Sequence, residues 1–246
     1  RALVFNPTDN RTSTSETTTF TVVVNDGTVD ATNNTTTVVS SAVAPVISQV
    51  TPVATPTNDN TPNYTFTTNE TGTFSLGGSC GTSTSTTISG TGNQTITLTQ
   101  TNNSSALADG TYSNCTVTVT DAGGKASSPL SITSFTVDTQ APTTPGTPDL
   151  IGGFDSGTSS TDNVTSVTQP RFAGTGIEVG VTIKISSSIN GLVGTTTTNV
   201  GGSYSYIITG TLSEGTHNIT VTATDAAGNE SSSSSALSVV VDASSP

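Results

Sequence analysis

One stretch of alternating residues recurs along this chain and constrains its fold more than any other feature. Residues 212–229 read LSEGTHNITVTATDAAGN, and residues 107–125 read LADGTYSNCTVTVTDAGGK. A weaker echo, FTVVVNDG, occupies residues 20–27. In each copy apolar residues alternate with polar ones, mostly threonine, up to an acidic turn, and a period of two is typical of a strand with one buried face. The chain is therefore predicted to consist of repeated β units.

The turn aspartates give the period of the repeat. Asp26, Asp121 and Asp225 occupy equivalent places, at intervals of 95 and 104 residues. The sequence VDTQAP at 137–142 returns as VDASSP at 241–246, again after 104 residues. A period of roughly 100 residues is the size of one immunoglobulin-like sandwich. The predicted fold is all-β: tandem immunoglobulin-like β-sandwiches at 45–140 and 141–246, preceded at 1–44 by the C-terminal part of an immunoglobulin- or cadherin-like domain.

The alternation also locates individual strands in the two complete domains. Linkers at 43–45 and 138–145 are short and contain proline, so neighbouring domains are predicted to be joined semi-rigidly. A change of inward parity predicts a bulge near Ser134, and Asn190-Gly191 predicts a tight hairpin. The predicted strands are 46–51, 62–68, 73–77, 85–88, 94–100, 111–120 and 129–137 in the first domain, and 146–150, 169–174, 179–187, 192–198, 203–209, 216–224 and 236–241 in the second.

Charge excludes several classes of partner. The net charge is −12, with only 5 Lys and Arg residues. A nucleic acid or an anionic membrane surface requires a basic face, so neither is an expected partner. No apolar run approaches the ~18 residues of a membrane-spanning helix, so no membrane insertion is expected in this region. The chain contains no methionine, which predicts that it is a window on a longer protein. The acidic balance suits divalent cations.

These sequences carry a family resemblance. The repeat LSEGTHNITVTATDAAGN, the linkers VDTQAP and VDASSP, and FDSGTSSTDNVTSVTQPRFAGT at 154–175 resemble the bacterial immunoglobulin-like domains of large repetitive surface proteins and adhesins. The resemblance covers nearly all of 45–246, and 1–44 resembles the tail of a cadherin-like domain. It implies a calcium-stiffened stalk that holds an adhesive tip away from a cell. The chain departs from the family pattern in its two cysteines and in a first domain without the long acidic loop.

The two cysteines are predicted to pair. Cys115 falls on the inward face, where the other copies have Phe20 and Ile219. A disulfide between Cys80 and Cys115 would join the third strand of its domain to the sixth, and it implies an oxidising, extracytoplasmic location. The alternative is two buried thiols that never meet, because a disulfide requires a specific geometry.

Acidic side chains are the candidates for a calcium site. Calcium takes six to eight oxygen ligands on flexible loops, and the acidic loop of the second domain offers several. By resemblance, Asp155, Asp162 and Asn163 match the family's acidic-loop positions. The alternative is that aspartate begins turns by capping backbone amides. The candidates are Asp149, Asp155, Asp162, Asn163, Asp225 and Asp242, with weaker equivalents at Asp59, Asn60, Asp121 and Asp138 in the first domain.

Tyr112 and His217 are interpreted as structural residues. Tyr112 precedes Cys115 by three residues and resembles the tyrosine corner of immunoglobulin sandwiches, where the spacing is two; an extra residue at 113–114 would explain the offset. His217, the single histidine, occupies the place of Tyr112 in the second copy. No nucleophile elbow accompanies it, and one histidine without a free cysteine pair gives no ordinary zinc site.

The predicted function is mechanical and non-enzymatic: an extracellular, cell-surface spacer of an adhesin or fibre, with neighbouring immunoglobulin-like domains of the same or adjacent chains as its partners and calcium as a structural ion. A first alternative is a filament subunit in which residues 1–44 complete a sandwich with strands of another chain. A second is a carbohydrate-binding accessory module, which the absence of tryptophan disfavours.

Overall fold

The computed structural model describes residues 15–25, 30–41, 43–102 and 105–244, and every regular element among them is a β-strand. The predicted all-β class with tandem sandwiches is confirmed. Chain contacts define two compact units, one comprising Arg1–Thr55 and Asp59–Val137 and the other Pro56–Asn58 and Asp138–Pro246.

The first two strands form a hairpin of their own. Strands β1 (Ser15–Asn25) and β2 (Asp30–Ser41) pair antiparallel, with a register shift between Phe20 and Val22. The echo at 20–27 lies partly in β1, and its turn aspartate Asp26 lies outside the described residues. Among the described strands, no third one joins this sheet.

The rest of the first unit contains ten short strands in antiparallel sheets. One sheet has the order β3-β4-β8-β6, a second has the order β11-β10-β5-β7, and β9 pairs with β12 alone. The strands are β3 (Ile47–Thr51), β4 (Asn63–Thr68), β5 (Gly72–Gly77), β6 (Gly81–Thr82), β7 (Thr87–Ile88), β8 (Gly92–Thr99), β9 (Gly110–Tyr112), β10 (Thr116–Asp121), β11 (Leu130–Ser131) and β12 (Phe135–Val137).

The last two predicted strands of this unit are each broken, and the predicted bulge at Ser134 is instead a change of sheet. Strands β10 and β11 belong to the four-stranded sheet, whereas β9 and β12 pair with each other, with Tyr112 opposite Phe135. Ile132 and Phe135 are both buried although their parities differ. The chain satisfies both by leaving one sheet and entering the other, which a single inserted residue within one ladder would not do.

The second unit contains eight strands in two sheets. The smaller has the order β13-β15-β18 and the larger β14-β20-β19-β16-β17. The strands are β13 (Asp149–Leu150), β14 (Val164–Thr165), β15 (Arg171–Gly174), β16 (Thr182–Ser187), β17 (Gly191–Thr197), β18 (Tyr204–Ile207), β19 (Gly215–Thr224) and β20 (Leu237–Val241). Sequence reasoning missed β14, a two-residue strand that pairs parallel to β20.

Inward alternation predicted the core of this unit correctly. Val181, Ile183 and Ile185 are buried, and Ile219, Val221 and Ala223 of β19 pack in the same cluster. Strands β16 and β17 form the predicted hairpin at Asn190-Gly191, where Gly191 has a φ of 69°. A left-handed backbone of this kind favours glycine because it carries no Cβ.

The segment between Asp138 and β13 has no strand but is anchored. Pro142, Pro145 and Pro148 are all buried, at intervals of three residues. Burial of these three rings therefore packs the segment against the rest of the protein.

Candidate functional site

The acidic loop between β13 and β14 is held closed by backbone contacts. Gly157 N donates to Val164 O at 2.9 Å, and the Thr165 hydroxyl donates to Phe154 O at 2.6 Å. Val240 N donates to Asn163 O at 2.9 Å, so β20 fixes the end of the loop. Asn163 adopts a φ of 58°, a left-handed conformation that asparagine tolerates better than most residues. The local sequence pattern did not predict the hydrogen bonds that close this loop.

Asp162 organises the exposed part of the loop. Its Oδ1 accepts a hydrogen bond from Val164 N at 3.1 Å, and its Oδ2 accepts bonds from Ser159 N and the Thr158 hydroxyl, both at 3.1 Å. The hydrogen bond from Val164 N has the largest effect on the pKa of Asp162 and lowers it. Desolvation opposes this, but hydrogen bonds with Ser159, Thr158 and Asp155 lower the pKa further and leave it below its usual range. Asp162 is therefore a carboxylate at neutral pH.

Asp155 is the unusual member of the loop because it is only 6% exposed. Its Oδ2 accepts a hydrogen bond from Asn163 N at 3.1 Å, but its Oδ1 is buried and has no hydrogen-bond partner. The side chain of Asp155 also interacts with that of Asp162. A buried carboxylate oxygen without a partner is costly, and an oxygen of this type is suited to a cation.

The two repeat turns are built alike, and each uses its aspartate as a cap. In the first, Lys125 N donates to Asp121 Oδ1 at 2.7 Å; in the second, Asn229 N donates to Asp225 Oδ1 at 2.9 Å. The Asn229 amide also donates to Asp225 Oδ2 at 2.9 Å and to Asp138 O at 2.8 Å. Burial raises the pKa of Asp225, but hydrogen bonds from Asn229, Gly228 and Ala227 outweigh it and leave that pKa below its usual range.

The remaining predicted ligands are dispersed. Asp59 accepts from Thr61 N, Asp138 from Gln140 N and Asp242 from the Ser244 hydroxyl, each two residues ahead. Asp149 is exposed at the start of β13, and Asn60 contributes its backbone carbonyl to Leu107 N. The described part of the chain holds no group of three or more His, Cys, Asp or Glu side chains placed to bind a metal ion. Of the predicted ligands, the structure brings together Asp155, Asp162 and Asn163 in the acidic loop, and it joins the Asp225 carboxylate to the Asp138 carbonyl through the Asn229 amide.

Cys80 and Cys115 form a disulfide, with a Cα–Cα distance of 5.4 Å across a sequence separation of 35 residues. Both cysteines are buried in the core of the first unit. Cys80 lies in the turn after β5, and Cys115 lies in the break between β9 and β10. The bond therefore joins two interruptions of the sheet rather than two strands.

Tyr112 and His217 occupy equivalent places. Tyr112 is paired with Phe135 in the first unit, and His217 is paired with Val239 in the second. The Tyr112 hydroxyl donates to Ala108 O at 3.0 Å, and His217 Nε2 lies 2.8 Å from Ser213 O. Each side chain thus bonds to the backbone carbonyl four residues upstream. The break after β9 supplies the extra residue that offsets Tyr112 from the tyrosine-corner spacing.

The contact between His217 Nδ1 and the Ser187 hydroxyl, at 2.8 Å, is structural. Because a carbonyl only accepts, Nε2 carries the proton donated to Ser213 O, and Nδ1 accepts from Ser187. The Ser187 oxygen in turn accepts from Ile189 N and Asn190 N, both at 3.2 Å. His217 is 0% exposed and Ser187 is 6% exposed, so this pair has neither the access nor the third group of a catalytic triad.

Comparison with known proteins gives a family match within the second unit. Residues 142–243 match the family described as bacterial Ig-like domain. No curated protein matches the chain. No helix among the described residues could span a membrane.

Several solved structures resemble the chain. Fibronectin(III)-like modules of Clostridium thermocellum CbhA align with 80% of this chain and 94% of theirs, at 15% identity and a TM-score of 0.46. A Ca2+-stabilized adhesin that helps an Antarctic bacterium reach out and bind ice aligns with 93% of this chain and 57% of its own, at 20% identity and a TM-score of 0.39. The BSP domain of a biofilm associated protein aligns with 81% of this chain and 30% of its own, at 19% identity and a TM-score of 0.29.

Proposed function

From the premise that residues 142–243 are a bacterial Ig-like domain, we propose that the chain is a non-enzymatic part of an extracellular stalk, a spacer in a cell-surface adhesin or fibre. Its partners are the neighbouring immunoglobulin-like domains of the same or adjacent chains. The role is mechanical: to transmit position and load along a row of domains.

The observation that carries this proposal is a hydrogen-bonded turn that both units repeat. Buried serines clip the strand before each acidic turn: Val119 N donates to the Ser127 hydroxyl at 3.1 Å, and Ala223 N donates to the Ser231 hydroxyl at 2.9 Å. The bridges Thr120–Ala126 and Thr224–Glu230 follow the same spacing. Both units therefore share the acidic turn and the hydrogen bond from a strand amide to a buried serine that follows it.

The spacer proposal is tested first on the protein from its native source, by its denatured, reduced mass and its susceptibility to protease on intact cells. A chain of hundreds of kilodaltons that external protease removes from cells supports a surface stalk. A short chain that remains protected inside cells contradicts it.

We place a calcium ion at the acidic loop as part of this proposal. Asp155 and Asp162 would supply carboxylate oxygens, and the unpartnered Oδ1 of Asp155 is the observation that favours a cation there. Calcium also accepts backbone carbonyls and water, so two carboxylates can suffice in a loop already closed by β14. When bound, the ion would offset the charge buried with Asp155 and tie the loop to the β14–β20 pair.

Thermal unfolding of the 246-residue chain, in excess calcium and in excess chelator, tests the calcium site. A ligand that binds only the folded state stabilises it by about 2.7 kcal/mol at a hundredfold excess over its dissociation constant. The midpoint temperature of unfolding of the second unit is expected to be higher in calcium than in chelator. Asp155→Asn should abolish the rise, whereas Asp149→Asn, an exposed control, should preserve it. An unchanged midpoint with wild-type protein removes calcium from the proposal and leaves the spacer role intact.

The β1–β2 hairpin favours a second candidate, a filament subunit. A two-stranded hairpin is marginal in water unless other strands or a helix cover it, and the described strands offer this one no partner. Strands from a second copy would complete a sheet by strand addition. A native-source chain near 24.5 kDa that sediments as a polymer would support this candidate, and a chain many times longer would contradict it.

A further inference from the structure

The outer face of the three-stranded sheet in the second unit carries an arginine between two isoleucines. Arg171 of β15 lies opposite Ile207 of β18, and on its other side Ile151 N donates to the Arg171 carbonyl at 3.1 Å. The next residue, Phe172, is fully buried in the core, so the side chain of Arg171 lies on the opposite, outer face. Ile207 is 41% exposed, and Arg171 and Ile151 are half-buried.

The charge of Arg171 is not compensated within the described part of the chain. Its guanidinium carbon lies 5.6 Å from the centre of the Phe154 ring, and its Nε is buried without a hydrogen-bond partner. The salt bridge found among the described residues joins Lys184 to Glu230 and does not involve Arg171. A guanidinium that is stacked on a ring and already partly desolvated gives up little further hydration to a carboxylate, and the lower local dielectric strengthens their attraction.

We call Ile151, Phe154, Arg171 and Ile207 together the arginine patch. Arginine and aromatic residues are enriched at protein–protein interfaces, where a few of them supply most of the binding free energy. The patch carries a positive charge on a chain whose net charge is −12. The partner that fits it therefore presents a carboxylate beside an apolar side chain.

The same unit displays a segment with that chemistry, residues 176–180, which we call the acidic tip. It follows β15, and it exposes Glu178 and Val179, the latter to 60%. The tip is fixed from below, because Ile177 is buried and the Thr198 hydroxyl donates to Glu178 O at 2.7 Å. No ion pair among the described residues involves Glu178. A tip held in this way loses little conformational entropy when it binds.

We propose that the arginine patch binds the acidic tip of a second copy of this chain. The Glu178 carboxylate pairs with the Arg171 guanidinium, and Val179 packs against Ile207. Charge complementarity selects this occupant, because each side offers the charge that the other lacks. Every copy carries one patch and one tip, so two copies can make the contact twice about a two-fold axis.

The contact gives the proposed spacer a way to associate sideways. An interface of so few residues is weak and transient in dilute solution. It gains from the high effective concentration of chains that stand side by side on one surface. Only this setting rests on the proposed function, since the contact itself is a property of the isolated chain.

The first unit provides an internal contrast. There the residue after the corresponding proline is Asn63, which lies opposite Thr97 on the neighbouring strand. The Thr97 hydroxyl donates to Asn63 Oδ1 at 3.0 Å. This pair is uncharged and satisfied within its own sheet, so the contact between copies is expected to join second units only.

Sedimentation equilibrium of the 246-residue chain, at concentrations up to about 1 mM, tests the proposal. At an ionic strength of about 0.15 M the Debye length is about 8 Å, which screens the general repulsion between acidic copies but not a direct contact. The expected result is a monomer–dimer equilibrium. Arg171→Glu and Glu178→Arg should each raise its dissociation constant about tenfold or more. The two changes in one chain should restore it, because the pair forms again with its charges exchanged.

A matched control separates this contact from net charge. Lys125→Glu changes the charge of the chain by as much as Arg171→Glu but lies in the first unit, so it should leave the dissociation constant unchanged. Unfolding midpoints of all variants show that each is folded.

Three results overturn the proposal. They are a wild-type chain that stays monomeric at every concentration, a dimer that Arg171→Glu does not weaken, and a double variant that fails to restore association. None of them contradicts the spacer role, which the native mass and the protease experiment test separately.

Discussion

The two complete domains share the same repeated strand and turn, but different contacts stabilise it in each. In the first, the position before the core strand carries Tyr112, whose ring stacks on Phe135 at 5.3 Å, and the next inward position is Cys115 of the disulfide. In the second, the equivalent residues are His217 and Ile219, and the reinforcement comes from hydrogen bonds through His217 and from the acidic loop. A small core leaves little stabilising free energy to spare, so each domain supplements it locally, one covalently and one with polar contacts.

The disulfide should give the largest difference between the domains. Replacing Cys80 and Cys115 with alanine removes a cross-link over 35 residues, which the chain-entropy relation values at about 3.5–4 kcal/mol. The first domain is expected to unfold at a markedly lower temperature in calorimetry, while the transition of the second stays in place. If the unfolding temperatures of both domains fall equally, the domains do not unfold independently and the disulfide does not distinguish them.

The corner residues should give the next largest effect, in the opposite domain. His217→Phe removes the acceptor of the buried Ser187 hydroxyl proton and the donor to the Ser213 carbonyl, at a cost of about 2–4 kcal/mol to the second domain. The matched change Tyr112→Phe removes one hydrogen bond to Ala108 O, which is exposed, and should cost about 1 kcal/mol. Urea titration of both variants checks the ratio. Equal losses would show that the two corners are energetically alike.

The buried serines should instead affect both domains equally. Ser127→Ala and Ser231→Ala each orphan a buried strand amide, so each should destabilise its own domain by about 1–3 kcal/mol. The neighbouring exposed residues provide controls, and Ser128→Ala and Ser232→Ala should cost less than about 0.5 kcal/mol. A large loss of stability in one domain alone would mean that the serine hydrogen bond recurs in both domains but contributes different free energies to them.

The smallest expected effect is a difference in acid sensitivity. The pKa of Asp225 is lower in the folded state, so its contribution is present above the pKa of the unfolded chain and is lost as pH falls through the folded value. The second domain should therefore lose stability on acidification below about pH 4, by less than about 1 kcal/mol because the group is near the surface. Asp225→Asn should flatten this dependence in unfolding curves measured between neutral and acidic pH. If Asp225→Asn leaves the dependence of stability on pH unchanged, the ionised Asp225 side chain makes no net contribution to the stability of the domain.

The sequence by itself determined the fold class, the repeat and the inward faces of the strands, because alternation with a period of two and recurring turn residues are local properties of the chain. It also placed His217 at the position of Tyr112 before either side chain had a partner. Tertiary structure alone decided the change of sheet at 132–134, the parallel strand Val164–Thr165 inside the acidic loop, and the separation of the predicted metal ligands. Each of these depends on which distant segments meet: β14 forms only because β20 lies beside it, and Asp121 and Asp225 are turn caps because backbone amides reach them first. The arginine patch belongs to the same class, since pairing between distant strands brings Ile151, Arg171 and Ile207 together and no local pattern records their approach.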